Sequence, residues 1–171
     1  MRSLGAVLII LMGGAISMDA WAGVDIKHDE FLFSLGGDWR QVQSRDPEQF
    51  SFESKEKKTS VVLSVMGSLN IPKQRLTEVA AKFAEVRRDA EQKARGKSLQ
   101  FGDRWVELKP SGDVAEVAYA GFDPSGTVFR FFGFVTQRKL LSFWVATTTR
   151  DNEFSKQVFD EVFKGLKFYV P

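Results

Sequence analysis

Carboxylates are the side chains in this sequence that could do acid–base chemistry. Two carboxylates held close together can act as general acid and general base. The candidates are Glu107, Asp113, Glu116 and Asp123. Glu116 stands out because it interrupts the apolar run Val114–Ala118, which has the composition of a strand. Exposure at a sheet edge, or an ion pair with Arg130 on a neighbouring strand, explains Glu116 without catalysis, and we favour this structural explanation.

Other catalytic groups are scarce. The 171 residues contain no Cys and a single histidine, His28, which lies in a predicted N-terminal arm. A nucleophilic Ser or Thr usually needs a positioned base, and zinc sites are built from His and Cys. We interpret His28 as an exposed or interfacial residue. The sequence also has no calcium loop, glycine-rich phosphate loop or nucleophile elbow. We therefore predict no catalytic residue, no metal site and no cofactor.

Charge argues against nucleic acid as the partner. The 24 basic and 22 acidic residues leave a net charge of +2, whereas nucleic-acid binders owe most of their affinity to a basic excess. The stretch Arg130–Val135 resembles the base-stacking strand of RNA-recognition modules, but Phe131 stands where that motif has glycine. Basic residues between Arg87 and Lys97 could form a phosphate patch; interleaved acids favour a solvated helix face.

The N-terminus has the three parts of a secretory signal peptide. Arg2 is followed by the apolar run Leu4–Ile16 and by the small-x-small sequence Ala20-Trp21-Ala22. We predict that residues 1–22 are removed and that residues 23–171 form a single domain, periplasmic or secreted, without a stable membrane anchor. An uncleaved anchor or a buried first helix is the alternative. A lipid anchor is not expected because no Cys follows Ala22.

The predicted domain is organised around a hairpin at Thr127–Thr148. Two runs of Phe, Val, Leu and Trp flank the polar break Gln137–Lys139, which is typical of paired strands. Large apolar groups on both faces of the first run place this hairpin in the middle of a sheet. Helical spacing of apolar residues predicts helices at about 72–95 and 152–165. We expect an α+β fold: an antiparallel sheet of about six to seven strands with two packed helices.

Two tryptophans are candidates for exposed binding residues. Trp39 and Trp105 lie in or beside predicted turns, and exposed tryptophans often dominate binding energy. The alternative is that both close the rim of the core. Together with Glu116 and Arg130, they are the candidate binding residues.

Several segments resemble one family. They are Phe31-x-Phe33 followed by Gly37-Asp38-Trp39, the strand 60–65, the long helix, the strand Phe143–Thr147, and the ending Gly165-Leu166-Lys167-Phe168. In this order they resemble the PsbP/DcrB-like superfamily. The resemblance implies a PsbP-like, three-layer sandwich and a mostly non-enzymatic role. Members include photosystem accessory subunits, bacterial envelope proteins, Ran-binding factors and adaptors of type VI secretion effectors. The chain lacks the lipidated Cys of the lipoprotein members and has an export signal that the cytosolic adaptors lack.

Three functions are compatible with these features. The first is a non-enzymatic periplasmic domain that binds another protein, as an accessory, adaptor or toxin-immunity protein. The second is a carrier for a small ligand or lipid, with a pocket between sheet and helix. The third is a carboxylate-dependent hydrolase of envelope polymers that uses Glu116 and Asp113. We favour the first.

Overall fold

The structure is a computed structural model that describes residues 23–169 apart from 29–30, 45, 47 and 96–97. The predicted signal peptide, residues 1–22, lies outside the described residues. The strands in chain order are β1 (Val24–Lys27), β2 (Phe31–Leu35), β3 (Arg40–Val42), β4 (Gln49–Ser54), β5 (Thr59–Met66), β6 (Gln100–Phe101), β7 (Trp105–Leu108), β8 (Ala115–Phe122), β9 (Thr127–Val135), β10 (Leu140–Thr148) and β11 (Leu166–Phe168). The helices are α1 (Leu76–Arg95), preceded by a 3-10 turn at Lys73–Arg75, and α2 (Asn152–Gly165).

The large sheet has eight antiparallel strands in the order β3-β4-β5-β10-β9-β8, with β6 and β7 both paired to β8 at the edge. The β9–β10 hairpin lies mid-sheet, as predicted. Along β9 the buried residues Phe129, Phe131 and Val135 alternate with the half-buried Phe132 and Phe134, which is the period of a pleated strand. Every residue of β10 except Thr148 is buried. The hairpin therefore contributes to a core on each side of the sheet.

A second sheet of three strands, in the order β1-β2-β11, was not predicted as a separate layer. Its Phe31 and Phe33 pack against Phe50 and Phe52 of the large sheet, with ring centroids 5.6 and 4.9 Å apart. The sequence predicted six to seven strands in one sheet, whereas the large sheet alone has eight. Strands of two to four residues carry too little periodicity to be recognised from sequence.

The two helices lie on opposite faces of the large sheet. Helix α1 packs against β7, β8 and β9 over the core that holds Phe129, Phe131 and Trp144. Helix α2 packs on the other face, against β9, β2 and β11. Asp151 caps α2 by accepting hydrogen bonds from the backbone N–H groups of Glu153 and Phe154. The α+β fold class is confirmed.

Candidate functional site

Within the part of the chain that the structure describes, no helix packs over the β7–β8 end of the large sheet on the α2 side. Helix α1 covers β7 and β8 on one face, whereas α2 packs chiefly against β9, β2 and β11. The register places Trp105 of β7 opposite Ala118 of β8, and Ala118 opposite Phe132 of β9. Cross-strand partners share a face of the sheet. These side chains therefore form a row that runs from the sheet edge towards α2.

We call this surface the open face and define it by Trp105, Ala118, Ala120, Phe122, Phe132 and Phe163. Three of its aromatic residues are unusually accessible: Trp105 is 44% exposed, Phe122 49% and Phe163 38%. The Phe132 ring lies between the other aromatics, with its centroid 6.4 Å from Trp105 and 5.2 Å from Phe163. Half-buried Ala118 and Ala120 form a low floor on β8. We call the strip of small residues on β8 that these aromatic side chains border the groove.

A cavity of about 570 Å³ lies at one end of the groove, and we call it the end cavity. The tip of the β9–β10 hairpin, the β7–β8 turn and Tyr169 surround it. Its apolar lining consists of Val65, Val114, Phe134, Leu141 and Tyr169. Charged residues line it as well: Lys109, Asp113, Glu116, Arg138 and Lys139.

The two candidate tryptophans have different environments. Trp39 is only 2% exposed, and its indole Nε1 donates a hydrogen bond to Oε1 of Glu161 at 3.2 Å. The hypothesis that Trp39 is an exposed anchor is therefore wrong. It fails because the small sheet and α2 cover a position that the sequence places beside a turn. Trp105 lies at the sheet edge and stays accessible.

Both structural explanations of Glu116, exposure at a sheet edge and an ion pair with Arg130, are wrong, because β7 pairs with β8 outside it and Lys109 is the cation that Glu116 contacts. The register places Glu116 opposite Phe134 and Arg130 opposite Ala120, so the two residues lie at different levels of the sheet. Glu116 is 9% exposed and pairs with Nζ of Lys109 at 3.2 Å. The Glu116 carboxylate thus has a cation from the neighbouring β7–β8 turn and lines the end cavity.

Arg130 attaches the start of α2 to the sheet through hydrogen bonds. Its Nη2 donates to Oδ1 of Asn152 at 2.7 Å and to the Asn152 backbone oxygen at 3.3 Å. Partial burial lowers the pKa of Arg130 from its usual value, partly opposed by Asp160 and Glu153. The guanidinium therefore connects the start of α2 to the centre of the sheet.

The structure brings only some of the candidate carboxylates together. Glu107 and Glu116 are direct cross-strand neighbours, and Asp113 lines the same cavity as Glu116 but pairs with Lys73 at 2.7 Å. Asp123 lies beyond the other end of β8, 3.7 Å from Nη1 of Arg95. His28 stacks on Phe31, with centroids 4.8 Å apart. Among the described residues, no group of His, Asp and Glu could hold a metal ion.

The basic face of α1 is not fully solvated. The Arg88 guanidinium lies 4.7 Å from the Phe101 ring centroid, and that of Arg95 lies 4.8 Å from the Trp144 ring. Such contacts bury the apolar part of an arginine and attract its charge to the ring face. These two arginines therefore close the rim of the core on the α1 side.

Sequence reasoning missed Phe122, Phe163 and the end cavity. The sequence did contain one signal. Ala118 and Ala120 are small residues at alternate positions of β8, so the middle of the face of β8 that they share has no large side chain to pack into a core. Phe163 has a position in α2 that periodicity alone assigns to the apolar stripe. The exposure of Phe163 depends on where α2 lies across the sheet, which the periodicity of the helix does not indicate.

Comparison with solved structures identifies the fold. The solution structure of cyanobacterial PsbP (CyanoP) from Synechocystis sp. PCC 6803 matches with a TM-score of 0.62 and 14% sequence identity, over 92% of this chain and 99% of that one. A crystal structure from Bacteroides thetaiotaomicron matches with a TM-score of 0.37 and 12% identity, over 82% of this chain and 45% of the other. No protein-family model and no curated protein matches the sequence. The chain has the PsbP-like fold.

Proposed function

We propose that this chain is an exported, non-enzymatic binding protein that holds an amphipathic helix of a partner protein in the groove of the open face. One observation carries the proposal: Trp105, Phe122 and Phe163 are all partly exposed on one side of a single sheet. Aromatic side chains on a rigid support supply most of the binding energy in protein interfaces. Solvent-exposed apolar clusters of this kind mark interaction sites.

The dimensions of the open face fit a helix. Neighbouring strands lie about 4.8 Å apart, so β7 and β8 present a strip roughly 10 Å wide. An α-helix with its side chains is about 10–12 Å across. Trp105, Phe132 and Phe163 form a continuous aromatic row across this strip, with neighbouring ring centroids 6.4 and 5.2 Å apart. A partner helix would lie beside α2 on top of this row, with its apolar residues against the three rings and Ala120.

Export forms part of the same proposal. The sequence pattern at residues 1–22 predicts cleavage after Ala22, and β1 begins at Val24, so this cleavage leaves every described strand and helix intact. Among the described residues, no helix has the length and apolar character needed to cross a membrane. N-terminal sequencing of the purified mature protein should begin at Gly23. An N-terminus at Met1 in the envelope fraction would contradict export with cleavage.

Site-specific photocrosslinking in the full chain tests the helix groove. A photoreactive phenylalanine analogue at Ala118 should give an adduct in cells, and Trp105→Ala should remove that adduct. Mass spectrometry should place the crosslinked partner residues three or four positions apart, as one face of a helix requires. The same analogue at Val86, which is 54% exposed on α1, is the matched control and should give no such adduct.

Two outcomes would overturn the proposal. Identical adducts from Ala118 and Val86 would indicate non-specific capture. Crosslinks to a second copy of this chain would show that the groove contacts itself and not a partner. Crosslinks to partner residues spaced by two would show that the partner adds a strand and not a helix. Circular dichroism of the Trp105→Ala protein must match that of the unmodified chain, because unfolding of the variant would also remove the crosslinked adduct.

A further inference from the structure

The end cavity has the dimensions of a small-molecule site. Its volume of about 570 Å³ lies within the range of roughly 300–1,000 Å³ that ligand pockets occupy. Phe134 and Leu141 are direct cross-strand neighbours on its floor. Tyr169, which is 48% exposed, lies at its side. An apolar group of modest size would contact these three residues.

The charges around the cavity favour an anion. Both acidic side chains of the lining are already paired: Glu116 with Lys109 at 3.2 Å, and Asp113 with Lys73 at 2.7 Å. Arg138 lines the cavity without an ion-pair partner among the described residues. Its guanidinium can bind a carboxylate or phosphate through two parallel hydrogen bonds. A positive charge thus remains at the mouth of an apolar cavity.

The backbone that carries Arg138 is fixed in place. The N–H of Leu69 donates to the Arg138 carbonyl, and the N–H of Ile71 donates to the Gln137 carbonyl, each at 2.9 Å. Within the tip, the N–H of Lys139 donates to Oγ1 of Thr136 at 3.0 Å. A hairpin tip held by the 69–71 segment and by its own internal bond limits the backbone entropy lost when Arg138 binds a ligand.

We propose that the end cavity binds a small amphiphile with one anionic head group, such as a fatty acid. The head group binds Arg138 at the hairpin tip, and the apolar body lies over Phe134 and Leu141. This site goes beyond the proposed partner helix and uses different side chains. Either proposal can therefore fail without the other.

Isothermal titration calorimetry of the full chain tests this site with three probes that share one tail. They are decanoate, decanol and decyltrimethylammonium, each below its micelle concentration. Decanoate should bind most tightly. Arg138→Gln should weaken decanoate binding at least about tenfold, the effect of losing one charge-assisted hydrogen bond. Arg150→Gln, at an exposed arginine outside the cavity lining, is the matched control and should leave decanoate affinity unchanged.

A second variant tests the cavity itself. Ser111→Trp places a large ring at an exposed position of the lining and should abolish decanoate binding without destabilising the core. Equal affinity for the three probes would overturn the proposal, as would equal losses in Arg138→Gln and Arg150→Gln. Binding to phosphatidylglycerol vesicles without binding to monomeric decanoate would also overturn it, because the surface would then recognise a membrane.

Discussion

The indole N–H of Trp39 donates a hydrogen bond to the carboxylate of Glu161, a residue 122 positions later in the chain. The second oxygen of that carboxylate pairs with Nζ of Lys57 at 3.2 Å. Glu161 therefore joins α2 to the segment before β3 and to the turn between β4 and β5. These contacts help to hold α2 near β4 and β5, away from β7 and β8.

Glu161→Ala should lower the free energy of unfolding by about 1–2 kcal/mol, because a partly buried indole N–H loses its acceptor. Glu161→Gln keeps an acceptor oxygen and should cost less. Urea unfolding followed by circular dichroism measures both. Glu56→Ala, at an exposed position, is the control and should change stability by less than about 0.5 kcal/mol. Equal effects at Glu56 and Glu161 would show that the Trp39 contact has no special role.

Tyr119→Phe should stabilise the domain. The Tyr119 hydroxyl is buried and has no hydrogen-bond partner among the described residues, whereas its ring stacks on Phe131 with centroids 4.8 Å apart. Removing an unsatisfied hydroxyl should add up to about 1 kcal/mol. Chemical denaturation at neutral pH measures the gain. Tyr169→Phe, at an exposed hydroxyl, should have no comparable effect.

The same tyrosine makes stability depend on alkaline pH. Burial, with a smaller contribution from Glu91, raises the pKa of Tyr119 well above its ordinary value of 10.0. A raised pKa in the folded state keeps the phenol neutral there, whereas the same phenol in the unfolded chain ionises above about pH 10, so a further rise in pH favours the unfolded chain. Stability of the unmodified chain should therefore fall more steeply above about pH 10 than that of Tyr119→Phe. Parallel curves for the two proteins would contradict this prediction.

Asp38 makes a corresponding contribution at acid pH. Its partial burial alone would raise the pKa of the carboxyl, but hydrogen bonds from the Glu56 N–H and the Ser54 hydroxyl, with others, outweigh burial and lower it. A lowered pKa stabilises the fold above about pH 4, and this stability is lost as the pH falls through the folded-state pKa. Asp38→Asn should reduce stability at neutral pH and flatten the acid limb of the stability curve. Asp25→Asn, at an exposed position, should leave that limb unchanged.

Gly165→Ala should be one of the most destabilising small substitutions. A Cβ at Gly165 would lie 2.2 Å from the backbone oxygen of Ser34, so α2 or β2 would have to move. Overpacking of this kind costs about 1–3 kcal/mol or more. Gly36→Ala meets nothing within 4 Å and is the matched control. Thermal unfolding of the two variants should separate them clearly.

The central part of the fold was predictable because its signals are long. The nine-residue strands β9 and β10 have apolar side chains at most positions, and the helices have an apolar stripe of several turns. The three-stranded sheet was not separated from the large one because β1, β2 and β11 have only three to five residues. Long-range pairing, such as β11 with β2, leaves no local signal in sequence.

The site was less predictable than the fold, since it depends on what the helices fail to cover. Trp39 and Trp105 are the same residue type beside similar turns, yet one is 2% and the other 44% exposed. Glu116 was recognised as unusual, but its partner Lys109 belongs to a turn whose geometry the sequence did not specify. Hairpin register alone decides that Arg130 lies opposite Ala120 and not beside Glu116.

The contrasting environments of the tryptophans give the domain an internal optical probe. Trp39 is enclosed and hydrogen-bonded, Trp144 is buried beneath the Arg95 guanidinium, and Trp105 stands in solvent at the edge of the open face. A collisional quencher such as acrylamide should therefore extinguish chiefly the Trp105 emission of a protein that comprises residues 23–171. Protection from that quencher would report occupancy of the groove in unlabelled protein.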